Sequence, residues 1–402
     1  ARRDSREDAP AQRLGAPGDP RDQEAQRDDE VAVVVHLRRI RQPPAAAPDL
    51  KQNIANLSSL DFPVRMQAAG LIRRTMETEA VPALREAARR DANEFVRYRA
   101  LVLLTAFNDR ETRDLMREFI RDRNDRIREV AYKWFERNPD PQLAETLVAS
   151  LQTEQSEFVR PALVGALAAL GSDPSVQRAM IPEVPRGLDF FRSAVIEALG
   201  RHRAVYAVDS IAATSKLEGP LQDDALLALG RIGGTRATAA IAEFTGGTPE
   251  ATQMIRGVQC LLGNLCAEQI TALVAAASSE EGRPSTIRGA LDALEAVAQS
   301  RNEAALAALF QLAKNSALRE SVAVAVASVA LRQADWTVER IGAADGPTRE
   351  AAISMLKDGF DSLEEDFAEE QFFASVRSGY WRAADGSAGR SLAATLIQRL
   401  EF

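Results

Sequence analysis

The chain has 402 residues and a formal net charge of −8, with 45 Arg against 5 Lys, only 2 His and only 2 Cys. So few His and Cys exclude a cage of several imidazoles, a four-thiolate zinc or iron–sulfur site and a disulfide-built scaffold. Residues 1–142 hold 27 basic and 25 acidic side chains, so the Arg are interleaved with carboxylates; this lacks the dense basic stripe a nucleic-acid face requires.

Residues 1–30 carry 6 Arg, 9 acids and 3 Pro and almost no large apolar side chain. Such a stretch buries too little surface to offset its ordering entropy. Val31–Leu37 (VAVVVHL) favours extended backbone, and Arg38–Pro48 ends in a Pro/Ala linker. Residues 1–48 are therefore expected to form a charged N-terminal arm, disordered unless bound. The opening Ala1 fits removal of an initiator Met, in a cytoplasmic protein, or cleavage of a presequence, in a periplasmic or organellar one. The longer apolar runs, such as Val322–Leu331, fall well short of the roughly 20 residues of a membrane span.

From residue 49 onward a short phrase recurs, an apolar residue followed by Arg: Arg65, Arg97, Arg128, Arg160, Arg192, Arg256, Arg288, Arg319, Arg349 and Arg390, with Gln222 in the sixth place. Successive positions lie 32, 31, 32, 32, 30, 34, 32, 31, 30 and 41 residues apart. After each comes an apolar stripe at i, i+4, i+7 and i+8, as in Val64, Ala68, Leu71 and Ile72, which is one face of a helix. A second amphipathic stretch lies between these, as in Ala80–Ala88, and Gly, Pro, Asn and Asp mark the joins. Each unit is thus a helical hairpin. One hairpin cannot close a core, but a stack buries a continuous one. The expected fold is all-α, an α-α superhelix of about eleven hairpins over 49–402. The stretch 358–402, where the spacing lengthens, is expected as an atypical C-terminal cap.

The Pro-containing first helix (Val81-Pro82-Ala83-Leu84) and the V-R-x-x-A opening of the second resemble the HEAT-repeat superfamily, in its short-unit type named for phycobilisome lyases. The resemblance spans about residues 50–402. It implies an inter-repeat seam for Arg65, Arg97, Arg128, Arg160, Arg192, Arg256, Arg288, Arg319 and Arg349, each paired with a turn carboxylate or carbonyl. It also implies binding more often than catalysis. Deoxyhypusine hydroxylase-like relatives use repeated His-Glu pairs, and His36-Leu37 and His202-Arg203 exclude that chemistry.

No Gly-rich phosphate loop, nucleophile elbow or H-E-x-x-H phrase occurs. No catalytic residue, metal ligand or cofactor site is therefore assigned. Gly230–Gly234 reads as a helix terminator, and Asp223-Asp224, Glu280-Glu281 and Glu364-Glu365-Asp366 as solvent-facing charge. Cys260 and Cys266 sit among apolar neighbours and are expected to pack in the core, or to bridge in an oxidising compartment if their Cα atoms come within about 7 Å. Trp134 falls in register with Leu71 and Leu103, a core column. Candidate partner-binding residues are the Arg/aromatic group Arg73, Arg74, Tyr98 and Arg99, and Phe367, Phe372 and Phe373 of the acidic, Phe-rich stretch 358–373. The expected function is a scaffold, adaptor or assembly factor presenting an extended surface to another protein or a multi-subunit complex. An enzyme-linked role, as cofactor-attachment lyase or regulatory subunit, is the alternative, and a glycosylase-like nucleic-acid binder the third.

Overall fold

The computed structural model describes residues 49–400, apart from 74, 108, 245–246, 280–281 and 364–365. The arm expected over 1–48 lies outside the described residues. Among those described, the chain forms 22 α-helices, three short 3-10 turns and no strand.

The helices alternate between two rows. The inner row holds α2 (Phe62–Arg73), α4 (Glu94–Leu104), α6 (Asp125–Arg137), α8 (Val159–Ala169), α10 (Asp189–Arg201) and α12 (Pro220–Ile232). It continues with α14 (Pro249–Leu261), α16 (Pro284–Gln299), α18 (Arg319–Arg332), α20 (Gly346–Leu363) and α22 (Ala388–Leu400). The outer row begins with α1 (Leu50–Asn56), α3 (Glu77–Arg90), α5 (Thr112–Phe119), α7 (Ala144–Thr153), α9 (Pro174–Met180) and α11 (Val208–Ser215). It ends with α13 (Gly234–Ala242), α15 (Cys266–Ala277), α17 (Glu303–Leu312), α19 (Ala334–Ala343) and α21 (Asp366–Arg382). From α4 onward each inner helix packs on the next, while outer helices pack mainly on the inner helices and only some outer pairs, such as α7 with α9 and α15 with α17, meet directly; the buried residues form one continuous core.

Local sequence sets these helices. Asn93 and Asn124 accept the backbone N–H groups of Phe95 and Arg126, which caps α4 and α6, and Asp173, Thr248 and Asn302 do the same for α9, α14 and α17. Pro174, Pro220, Pro249 and Pro284 open helices, where the missing N–H costs nothing. Gly233 and Gly234 take positive φ angles of 68° and 78° between α12 and α13. Gly230, read above as part of a terminator, lies instead inside α12 and packs on Val258.

The inner row is tightly crossed because its contact positions are small. Gly200 lies against Ala228 and Gly359 against Ala323 and Ala327 with no room for a Cβ, and Gly257 packs tightly on Ala293. Close inner spacing with side-chain-filled outer spacing bends the stack strongly. The curvature brings its two ends together: α21 leaves the outer row, crosses α18 and α19, and reaches α4.

The repeated Arg clamps neighbouring turns. Arg97 donates to the Ala88 carbonyl of its own unit at 3.0 Å and pairs with Asp122 of the next. Arg128 donates to the Asp122 carbonyl at 2.7 Å and, through Nε and Nη2, to Glu154 of the following unit at 2.8 and 2.9 Å. Arg65, Arg192 and Arg349 donate to the carbonyls of Ser59, Val184, and Gly342 with Ala344. Arg160 faces Glu183 at 3.6 Å, and Arg319 holds Ser354 and Asp358. Gln222 reaches the Ser215 carbonyl at 3.0 Å, the same geometry without the charge. Arg256 and Arg288 make no such bond among the described residues. The turns ahead of their helices include 245–246 and 280–281.

Cys260, at the end of α14, and Cys266, at the start of α15, form a disulfide with Cα atoms 4.1 Å apart. Of the two outcomes left open by the sequence, the structure has the bridge. Trp134 is half-buried, stacked edge-on against Phe135 with Arg113 over its other face, so it borders the core rather than filling it.

Candidate interaction site in the lumen

The curved inner row encloses an open cavity of about 2010 Å³, lined by α2, α4, α6, α8, α10, α18 and α20, by one or two residues each of α12, α14, α16 and α22, and by α21. Three features of its wall bear on function: the closure at one side, a polar network across the middle, and a row of aromatic side chains on the first turns of the early inner helices.

Closure rests on Glu370 of α21. Its carboxylate is 3% exposed and accepts from Arg73 of α2 at 3.0 and 3.1 Å through Nε, and from Arg377 at 3.2 Å. Burial favours the neutral acid, but the two guanidinium groups outweigh it and hold the carboxyl below its usual range. Beside it, Gln371 donates to the Thr105 carbonyl at 3.2 Å and meets its hydroxyl at 3.0 Å.

The network joins helices far apart in the stack. Glu136 of α6 faces Arg201 of α10 and His202, each at 3.1 Å. Gly165 of α8 makes room for it, since a side chain there would run into the Glu136 carboxylate. Arg201 also bonds Glu197 at 3.1 Å, which accepts in turn from Arg332 of α18 at 2.9 Å. Arg231 of α12 donates to Gln299 of α16 at 2.9 Å, and Gln299 and Ser328 both donate to Glu295, at 2.8 and 2.6 Å.

These neighbours divide the acids. Burial pushes Glu136 up, but the His202 hydrogen bond and Arg201 prevail and hold it at about 2. Glu295 forms no ion pair among the described residues, and burial raises it to about 7 against the opposing Ser328 bond. Burial and the nearby Arg332 lower Arg231 to about 10. Asp223, read above with Asp224 as solvent-facing, is instead half-buried on α12; burial and Glu250 lift it to about 6, and burial raises Asp224 too. The pair lies where inner helices pack, so charge there is costly. Glu280-Glu281 and Glu364-Glu365 lie outside the described residues.

The aromatic row consists of Phe62, Phe95, Phe158 and Phe190. They stand at the starts of α2, α4, α8 and α10, all line the cavity, and are 59%, 37%, 81% and 63% exposed. Arg65 lies over Phe62 and Arg126 over Tyr98, which also touches Phe95. An isolated exposed apolar residue needs no explanation, but a row on four of the first five inner helices of a concave wall marks an interaction surface.

The structure places Tyr98 and Arg99 on this wall, half-buried. Arg73 lines it too, but it is committed to Glu370. Arg74 and the side chain of Phe367 lie outside the described residues. Phe372 and Phe373 are buried, packed edge-on with Phe360 and with each other, so they belong to the core under the closure. Sequence reasoning passed over the aromatic row and the network. The signal for the row was present: Phe95, Phe158 and Phe190 each stand two residues before the repeated Arg.

No helix among the described residues is long and apolar enough to cross a membrane, and no group of three or more His, Cys, Asp or Glu among them is set to hold a metal. Residues 50–133 match the family model of HEAT repeats. That stretch therefore carries HEAT repeats, and the described chain as a whole is an all-helical solenoid of stacked hairpins. Among solved structures, the chain is similar to the CpcE–CpcF complex of phycocyanin lyase from Nostoc sp. PCC7120, at 19% identity over 64% of this chain and 98% of that one, with a TM-score of 0.35. It is similar to human deoxyhypusine hydroxylase at 21% identity, over 62% of this chain and 95% of that one, TM-score 0.28. It is also similar to Kap95p, from a complex with RanGDP, at 14% identity over 88% of this chain and 61% of that one, TM-score 0.40. No curated protein matches the sequence.

Proposed function

We propose that the chain is a non-catalytic scaffold or adaptor that receives a segment of a partner protein in its lumen. The observation that supports this reading is the row Phe62, Phe95, Phe158 and Phe190, exposed on one concave wall with Tyr98, Arg99 and Arg126 between them. Aromatic and Arg side chains are favoured as interface anchors, and a wall that presents them on four of its first five inner helices suits an extended chain. The interior is already ordered by its own ion pairs, so little has to rearrange when a partner enters.

The test is recovery of partners on the full chain from its native source, compared with the variant carrying Phe158→Ser and Phe190→Ser. A defined protein retained by the wild type and lost from the variant supports the reading. Recovery of the lone chain, or equal retention by both, overturns it.

A further inference from the structure

Resting on that reading, we infer that the partner segment received in the lumen is acidic as well as apolar, its carboxylates seating on Arg203 and Arg231 about five residues away from the side chains that meet the aromatic row. The charge of the wall is the first reason. Among the described residues, eleven Arg and Lys line the cavity against seven Asp and Glu, although the whole chain has a net charge of −8. An acidic occupant complements this wall, and a basic one does not.

The second reason is where the cations stand. Gly200 packs on Ala228 and Gly230 on Val258, each near the end of its helix, so these inner helices run side by side in one direction. The lumen therefore has two unlike rims. The aromatic row lies where the helices begin. Where they end, the cavity is lined by Arg137 of α6, Arg201 of α10 with Arg203 just past it, Arg231 of α12 and Arg332 of α18, with Glu136 and Glu197 the acids among them. Helix C-termini favour cations, which lets the fold hold this surplus without an occupant. Phe190 and Arg201 are eleven residues apart on α10, a rise of about 16 Å, which an extended chain covers in about five residues.

The third reason is that the acids of this rim are already shared. Glu136 faces Arg201 and His202, and Glu197 bonds Arg201 and Arg332. Among the described residues, Arg231 is half-buried and bonds only the neutral Gln299, at 2.9 Å, and Arg203 forms no ion pair. A guanidinium drawn out of water without a counter-ion is costly, and Arg332 nearby adds repulsion, the same crowding that lowers the Arg231 pKa. The planar fork of Arg matches a carboxylate, which supplies the charge this rim lacks. The apolar row beside it favours a peptide as the source of that carboxylate.

Selection of a phage-displayed random peptide library on the full chain tests this without knowledge of the partner. Enriched peptides are expected to carry Asp or Glu about five positions from an aromatic or aliphatic residue. The best of them, made synthetically, should bind at least about tenfold more weakly to the variant Arg203→Gln with Arg231→Gln, and replacing its acids by Gln should cost nothing further there. Arg203 is exposed, so Arg203→Gln alone leaves the packing intact and should show part of the loss; thermal midpoints no lower than the wild type are the folding control. Enriched peptides without acids, no enrichment, or equal binding by the Arg variant overturns the inference. So does a single-stranded oligonucleotide that binds more tightly than the peptide and is lost with the same two Arg. If the inference fails while partner recovery still depends on Phe158 and Phe190, the scaffold reading stands with a segment of other chemistry. If acidic peptides bind through the two Arg but partner recovery ignores the Phe residues, the carboxylate site stands and the scaffold reading falls.

Discussion

Arg73 and Glu370 stand 297 residues apart in sequence and form a part-buried ion pair that joins the second helix to the last outer one. Apart from the lumen network that ties Glu197 to Arg332, repeats mostly touch their neighbours, so this pair, with Gln371 on Thr105, carries information about the whole curvature. Removing one partner of a buried pair leaves a charge without compensation, a cost of about 3–5 kcal/mol. Glu370→Ala is expected to release α21 from α4 without unfolding the inner stack. Small-angle scattering should show a larger radius of gyration, and amide exchange should rise in α4 and α21. An unchanged radius would show that the closure does not depend on this pair.

Arg128 offers a contrast in strength between seam and surface. Its partner Glu154 is nearly buried, whereas Arg89 and Glu118 pair in the open. Arg128→Ala should cost about 2–4 kcal/mol, and Arg89→Ala less than about 1 kcal/mol. Urea denaturation of the two variants measures the difference, and equal midpoints would refute the clamp.

Two glycines separate packing from propensity. Gly359 on α20 lies against the Ala323 backbone, while a Cβ on Gly379 of α21 would meet nothing within 4 Å. Gly359→Val should therefore cost roughly 2 kcal/mol or more through overpacking. Gly379→Ala should be neutral or stabilising by up to about 1 kcal/mol, since Ala restricts the unfolded chain and favours helix. Thermal midpoints moving in opposite directions are the expected readout.

The network has a pH signature set by Glu295. Its folded pKa of about 7 lies above the ordinary 4.5, so the folded state binds the proton more tightly than the unfolded chain. Its contribution to stability is full below about pH 4.5 and is lost as pH rises to about 7. Glu136, held at about 2, acts in the other direction, and its contribution is lost only as pH falls below 4.5. Glu295→Gln should flatten the decline between pH 5 and 8 and stabilise the protein at pH 8 by on the order of 2 kcal/mol. Some slope should persist, because Asp223 titrates near 6 in the same sense. A variant as pH-dependent as the wild type would remove Glu295 from this role.

The hairpin architecture was legible because its cause is local: a helical stripe after each Arg, with turn residues between. Seam bonds at Arg97 and Arg128 follow the same period. What was hidden depends on curvature, which no single repeat encodes. Glu370 was one acid of the acidic, Phe-rich stretch 358–373, read as a cap with candidate binding residues, until the superhelix brought Arg73 to it, and the same closure buried Phe372 and Phe373. Asp223 reads as surface charge in sequence because helix phase alone does not show that α12 is flanked closely on both sides. Phe158 and Phe190 were within reach, since they recur at one register position, but apolar residues near a helix start are ordinarily assigned to the core.

An open helical stack can lengthen by duplicating a unit, because each new hairpin needs only two neighbours. Here the ends meet, and inserting or deleting one unit of about 31 residues would carry Glu370 past Arg73 by the thickness of a hairpin. The number of repeats is thereby fixed by geometry. Evolution of this chain can exchange side chains within its units far more easily than it can change how many there are.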